Sequence, residues 1–206
     1  VADSALHRPH RGVSAAERKS IRRATLIESG LELFGTQGIA AVSIDQICVH
    51  ARLNKRYFYE SFSSLDDLVD AVVKRILADI AEGLVPRVAE GGFRNPQPAV
   101  AYFVDTVLSD HRIARLLFVE ADSGALTNHS QRFIDGAVEL WLASDPNSPD
   151  DPIQRGMLRM GAYAFGGACR EVLMASITGK LDHSTEQITA YLVALLAAMS
   201  AGYDTA

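Results

Sequence analysis

Between Ser43 and Phe62 the chain reads SIDQICVHARLNKRYFYESF, and this stretch carries two helix-start signals so close together that neither helix can run far beyond about two turns. Ser43 with Gln46 three residues on forms a capping box, which satisfies free backbone N–H groups at a helix start. Ile44, Ile47, Cys48 and Ala51 then fall at helical spacing on one face. Asn54 is the second N-cap. Leu53 before it and Phe58 after it have the spacing of a hydrophobic staple, and Phe58 and Phe62 share a buried face. Helices this short are not stable alone in water, so both must dock on neighbours.

On the second short helix Arg56, Tyr57 and Glu60 project away from the buried face, with Lys55 and Tyr59 at its flanks. Two cations and two phenols within five positions suit a helix that enters a DNA groove. Arginine pairs bidentately with guanine O6 and N7. Lysine and tyrosine bind phosphate, which positions a protein without specifying a sequence. Glu60 is the discordant member: it repels phosphate unless it accepts from a cytosine amine or pairs with Arg56. A solvated basic helix is the plain alternative.

The segment from Ile21 to Val73 resembles the DNA-binding domain of the TetR family of bacterial transcriptional regulators. The likeness runs through LELFGTQG, Val42-Ser43-Ile44, NKRYFYESF and SSLDDLVDAV, in order. It implies an all-α fold: an N-terminal three-helix helix-turn-helix DNA-binding domain, then a larger C-terminal helical domain for ligand binding and dimerisation. It also implies that Ser43, Lys55, Tyr57 and Tyr59 touch DNA, Ser43 at a helix N-terminus and Tyr59 on phosphate. Two departures stand out. The family usually has glycine near Arg52, so Arg52 is expected in an unusual turn, and a small residue at Arg56, so operator preference cannot be carried over from relatives.

Charge is distributed to match. The chain is acidic overall, at −5, yet residues 1–75 carry 11 Lys and Arg against 9 Asp and Glu, and the remainder 9 against 16. Arg8, Arg11, Arg18, Lys19, Arg22 and Arg23 face only Glu17 among residues 8–23. A basic leading segment suits phosphate contact, while the acidic total argues against a protein that coats DNA indiscriminately. The expected organisation is a disordered basic arm at 1–13, the helix-turn-helix domain at 14–62, a connecting helix at 63–82 and the ligand-binding and dimerisation domain at 83–206. Arg22 and Asn54 join Ser43, Lys55, Arg56, Tyr57 and Tyr59 as the candidate DNA-binding residues.

Ser14 and Glu17 cap a first helix that runs to about Gln37, with Ala24, Ile27, Leu31 and Phe34 on one face and Gly38 as its stop. Ser64 caps a fourth, ending near Glu82. Leu84–Pro98, with its prolines and glycine pair, reads as a loop or broken helix. Helices follow at about 97–109, 112–121 and 126–143, then an acidic loop at 144–152. The last two helices, at about 152–178 and 184–201, are apolar or small nearly all the way round. Such helices must be covered on every side, and a second copy of the chain is the simplest cover. A homodimer through these two helices is therefore expected, with a larger monomer core as the alternative.

Phe103, Phe118, Trp141, Tyr163 and Arg170 are the candidate ligand-binding residues, since dense aromatics with a few polar handles can line an apolar cavity. The plain alternative is that each aromatic is core. No catalytic, metal-binding or cofactor motif is present: there is no H-E-x-x-H, C-x-x-C or P-loop. Cys48 and Cys169 read as reduced core residues. With no membrane-length apolar run and no apolar leader, the expected location is the cytoplasm. The partners implied are a double-stranded operator and a small-molecule effector. The rival reading is a small-metabolite-binding protein or enzyme whose N-terminal domain does not bind an operator.

Overall fold

The computed structural model describes residues 14–91, 95–120, 127–144 and 151–201. The expected basic arm at 1–13 and most of the acidic loop at 144–152 lie outside them. Among the described residues the chain is helical, with no strand.

The N-terminal unit consists of α1 (Ala15–Gln37), α2 (Ile44–His50) and α3 (Lys55–Tyr59). Each begins where a local hydrogen bond dictates. The Ser14 and Ser43 capping boxes both form, and the Asn54 side chain accepts from the Tyr57 N–H. Gly38 ends α1 at φ +90°, its N–H donating to the Phe34 carbonyl. A core of Leu26, Phe34, Ile47, Phe58, Leu68 and Val72, all under 2% exposed, unites these helices with the start of α4.

The buried face of α1 differs from the expected one. Leu26, Ser29, Gly30, Leu33, Phe34 and Gly35 are buried, whereas Ala24 is exposed and Ile27 and Leu31 are half-buried. The cause is that α1 is packed on two sides, by α4 and by α6. At Gly35 an added Cβ would lie 2.7 Å from the backbone Cα of Arg112. Close approach at a small residue, not side-chain size, sets the arc.

The fourth helix, α4 (Leu65–Gly91), also departs from expectation, since it continues through Pro86 past the stop expected near Glu82. Proline inside a helix costs about 3 kcal/mol. The stripe Ile80, Leu84, Val88 nevertheless continues at helical spacing and is buried, and each such side chain contributes about 1.5–3 kcal/mol, enough to outweigh the proline. In the disturbed turn the Arg87 guanidinium donates to the Gly83 carbonyl at 2.6 Å and lies 4.3 Å above the Tyr102 ring. Tyr102 itself occupies the space a side chain at Gly83 would need.

Beyond it come α5 (Gln97–Ser109), α6 (His111–Ala114), a π-helical continuation over Arg115–Val119, α7 (Thr127–Ser144), α8 (Pro152–Ile177) and α9 (Thr185–Ala201). A second core gathers Val104, Val107, Phe118, Phe165, Leu173 and Leu192. The π-helical segment serves both cores: Leu116 is buried in the first and Phe118 in the second. An ion-pair cluster secures it. Arg112 donates to Asp110 at 2.6 Å and to Glu32 of α1 at 2.8 Å. These carboxylates, with Asp110 first, raise the Arg112 pKa, and Arg112 in turn holds the Asp110 carboxyl below its usual range.

Candidate nucleic-acid interface

The corner between α2 and α3 turns through Arg52, which adopts φ +54°. A left-handed conformation costs a non-glycine residue about 1–2 kcal/mol. The Leu53 N–H donates to the Cys48 carbonyl at 2.9 Å and the Arg52 N–H to Val49 at 3.1 Å, so the turn is held by α2 itself. Phe58, wholly buried, anchors α3 beneath, with Tyr59 edge-on to it at 5.5 Å and Phe62 at 5.8 Å.

With Phe58 buried, the opposite side of α3 faces solvent. Arg56 is 84% exposed and Tyr59 58% exposed. The cations on this face are not idle. The Lys55 Nζ lies 2.7 Å from Asp45 of α2, and that hydrogen bond raises its pKa. The Arg56 Nε donates to the Glu60 Oε1 at 3.1 Å. From α1, Arg22 reaches across, its Nη2 3.5 Å from the Glu60 Oε2 and its guanidinium 4.3 Å above the Tyr57 ring. Tyr57 is therefore half-buried under Arg22 rather than fully projecting, because the π-face of a phenol attracts a guanidinium.

Thus Arg22, Arg56 and Tyr57 meet around Glu60, while Lys55 pairs with Asp45 and Tyr59 packs edge-on against Phe58. The two caps take part differently. The Ser43 hydroxyl accepts from the Gln46 N–H at 3.3 Å, and the Asn54 Oδ1 accepts from Tyr57 at 3.1 Å, so both are engaged in holding their helices. The link from Asp45 to Lys55 crosses the turn between two helices, and no helical spacing announces it.

The candidate ligand-binding residues do not converge as a group. Phe103, half-buried, packs against each of the three hydrophobic clusters formed by the described residues. Phe118 is buried in the second core, and Trp141 lies 6.1 Å from the ring of Phe165, an aromatic the candidate set omitted. Tyr163 is exposed and donates its hydroxyl to Asp135 at 2.7 Å, while Arg170 pairs with Glu171 at 2.7 Å. A small cleft of about 90 Å³ opens instead between α1, α4, α5 and α6, lined by Ile27, Leu31, Ile76, Ile80, Tyr102 and Ile113. Among the described residues no group of three His, Cys, Asp or Glu is placed to hold a metal ion, and no helix is long and apolar enough to cross a membrane.

The sequence model of the bacterial regulatory proteins, tetR family, matches residues 26–72, the span that builds this corner and its supports. Over these residues the chain is similar to the tetR family of bacterial regulatory proteins. Solved structures share the TetR-like fold across nearly the whole chain. A TetR-family transcriptional regulator from Streptomyces coelicolor aligns with a TM-score of 0.75 at 19% identity, covering 90% of this chain and 83% of that one. The fatty acid degradation regulator FadR from Bacillus halodurans aligns at 0.69 and 12% identity, over 85% and 94%. The multidrug binding protein EbrR complexed with ethidium aligns at 0.63 and 18% identity, over 84% and 97%. No curated protein matches the sequence.

Proposed function

We propose that this chain is a TetR-family, ligand-responsive transcriptional repressor that binds a palindromic operator as a homodimer. The observation that carries the reading is the solvent face of α3, where Lys55, Arg56 and Tyr59 stand on a helix pinned by the wholly buried Phe58. Arg56 would read a base edge, and Arg22, Lys55 and Tyr59 would hold phosphate, with Ser43 and Asn54 fixing the helix ends that present them. Two such units would enter successive major grooves about 34–36 Å apart.

The outer face of α8 and α9 supports pairing of two chains. Ile153, Met160 and Tyr191 are 75%, 64% and 58% exposed, and Ala164, Gly167, Ala194 and Ala197 beside them are exposed too. An added Cβ at Gly156 or Gly167 would meet nothing within 4 Å. Packing within one chain does not demand glycine there, whereas a partner helix in close approach would.

The effector would be a small apolar or amphipathic molecule, a class to which the ethidium bound by the related EbrR belongs. Phe103, Phe118 and Trp141, which pack in or against the second core, would have to part to receive it, with Tyr163 and Arg170 as outlying handles. A shift at Phe118 would move Leu116 and the Arg112 clamp on α1. Coupling of about 1–3 kcal/mol would change operator affinity several-fold to about a hundredfold. The test is a salt-titrated gel shift against the DNA upstream of the chain's own gene. Tight, site-limited binding of two chains per site is the expected result, and absence of any preferred site would refute the reading.

A further inference from the structure

The carboxylate of Glu60 stands on the helix that should meet polyanionic DNA, and simple charge matching gives no reason for it. Its geometry does. One oxygen, Oε1, accepts from the Arg56 Nε at 3.1 Å, while the other, Oε2, faces the Arg22 Nη2 at 3.5 Å. Arg22 is further fixed by the Tyr57 ring at 4.3 Å. A single side chain therefore ties α1 to α3 and orients two guanidiniums.

We propose that Glu60 is a specificity-determining positioning residue, which holds Arg56 so that its two terminal amino groups are offered to a base edge instead of the nearest phosphate. This rests on the operator-binding reading above. Arg56 is 84% exposed, and without a tether its long side chain would sample every phosphate in reach. The tether engages Nε and leaves Nη1 and Nη2, a pair matching the two acceptors of guanine. Phosphates are present in every sequence, so a carboxylate at this face weakens binding to all duplexes. Only the correct site, where Arg56 finds its bidentate partner, recovers the loss. Discrimination arises from disfavouring wrong partners as well as favouring the right one.

The experiment uses full-length protein. Wild type first selects a preferred duplex from a randomised pool, and affinities for that duplex and for random duplex are then measured across a salt series for wild type, E60Q, R56A and the double variant. With Glu60→Gln, random-duplex affinity should rise about three- to tenfold, and the salt slope should steepen by about 0.9, the change expected when one more phosphate is neutralised. The ratio of selected to random affinity should fall at least about fivefold, and in the R56A background the same change should move it by less than about twofold. Thermal melts should superimpose, since Glu60 is at the surface. An unchanged ratio in E60Q overturns the proposal while leaving operator binding intact. A ratio that falls equally without Arg56 overturns it as well, because Glu60 would then touch a base itself. A wild type that selects no duplex refutes the operator-binding reading, and this inference falls with it.

Discussion

Arg22 of α1 lies with its guanidinium 4.3 Å above the ring of Tyr57 on α3. The first helix thereby reaches the exposed side of α3 directly. Replacing Arg22 by alanine should cost little stability, ~1 kcal/mol or less, since both this contact and the Glu60 pair are near the surface. It should weaken DNA binding and flatten the salt dependence by about 0.9 in slope. Chemical denaturation and gel shifts over a salt series would measure the two separately.

Tyr59 and Arg56 are expected to differ in kind. Tyr59→Phe removes one hydroxyl and should weaken binding to all duplexes by a similar factor, as loss of a phosphate ligand does. Arg56→Ala should alter preference at one or two base positions, at about 1–3 kcal/mol of discrimination each. Binding to a panel of single-base variants of the selected site checks both.

Gly35→Ala places a methyl group against the Arg112 backbone, with Cα 2.7 Å from the new Cβ. Backbone cannot swing aside as a side-chain end can. The variant should lose about 1–3 kcal/mol in denaturant unfolding. It should also loosen the Arg112–Glu32 link, visible as faster amide exchange in α6.

On the outer face of α8 and α9, Met160→Glu and Tyr191→Glu should leave the helical content of the chain intact, since both side chains are solvent-exposed within one chain. If that face is the dimer interface, both variants should run as monomers in light scattering where wild type runs as a dimer, and should lose cooperative operator binding.

The Asp110 carboxyl is held below its ordinary range, chiefly by its hydrogen bond with Arg112. A depressed folded-state pKa means that its stabilisation is present above the unfolded value of about 3.9 and is lost as pH falls through the folded value. Thermal melts should therefore fall as pH drops below about 4. Asp110→Asn should melt lower than wild type at neutral pH, and the gap should narrow in acid.

Helix starts were legible because a cap is a local event. The side chains of Ser14, Ser43, Asn54 and Ser64 each accept from a backbone N–H three residues on, so the spelling suffices. The unusual turn at Arg52, which the resemblance implied, is present at φ +54°. The outward face of α3 was readable from the period set by Phe58 and Phe62.

What lay beyond that reading depends on partners distant in the chain. Pro86 spells a helix stop, yet α4 passes through it because the neighbours of Leu84 and Val88 reward continuation. The face of α1 is chosen by two helices closing on its glycines. The Glu60 pair with Arg56, four residues away, was open to the sequence reading, but the second partner, Arg22, came only with the fold. Local hydrogen bonding within one turn set where the helices begin, and the sequence alone determined that much. Burial and ion pairing between segments tens of residues apart set how far α4 runs, which way α1 faces and which distant charges meet, and only the tertiary structure could decide these.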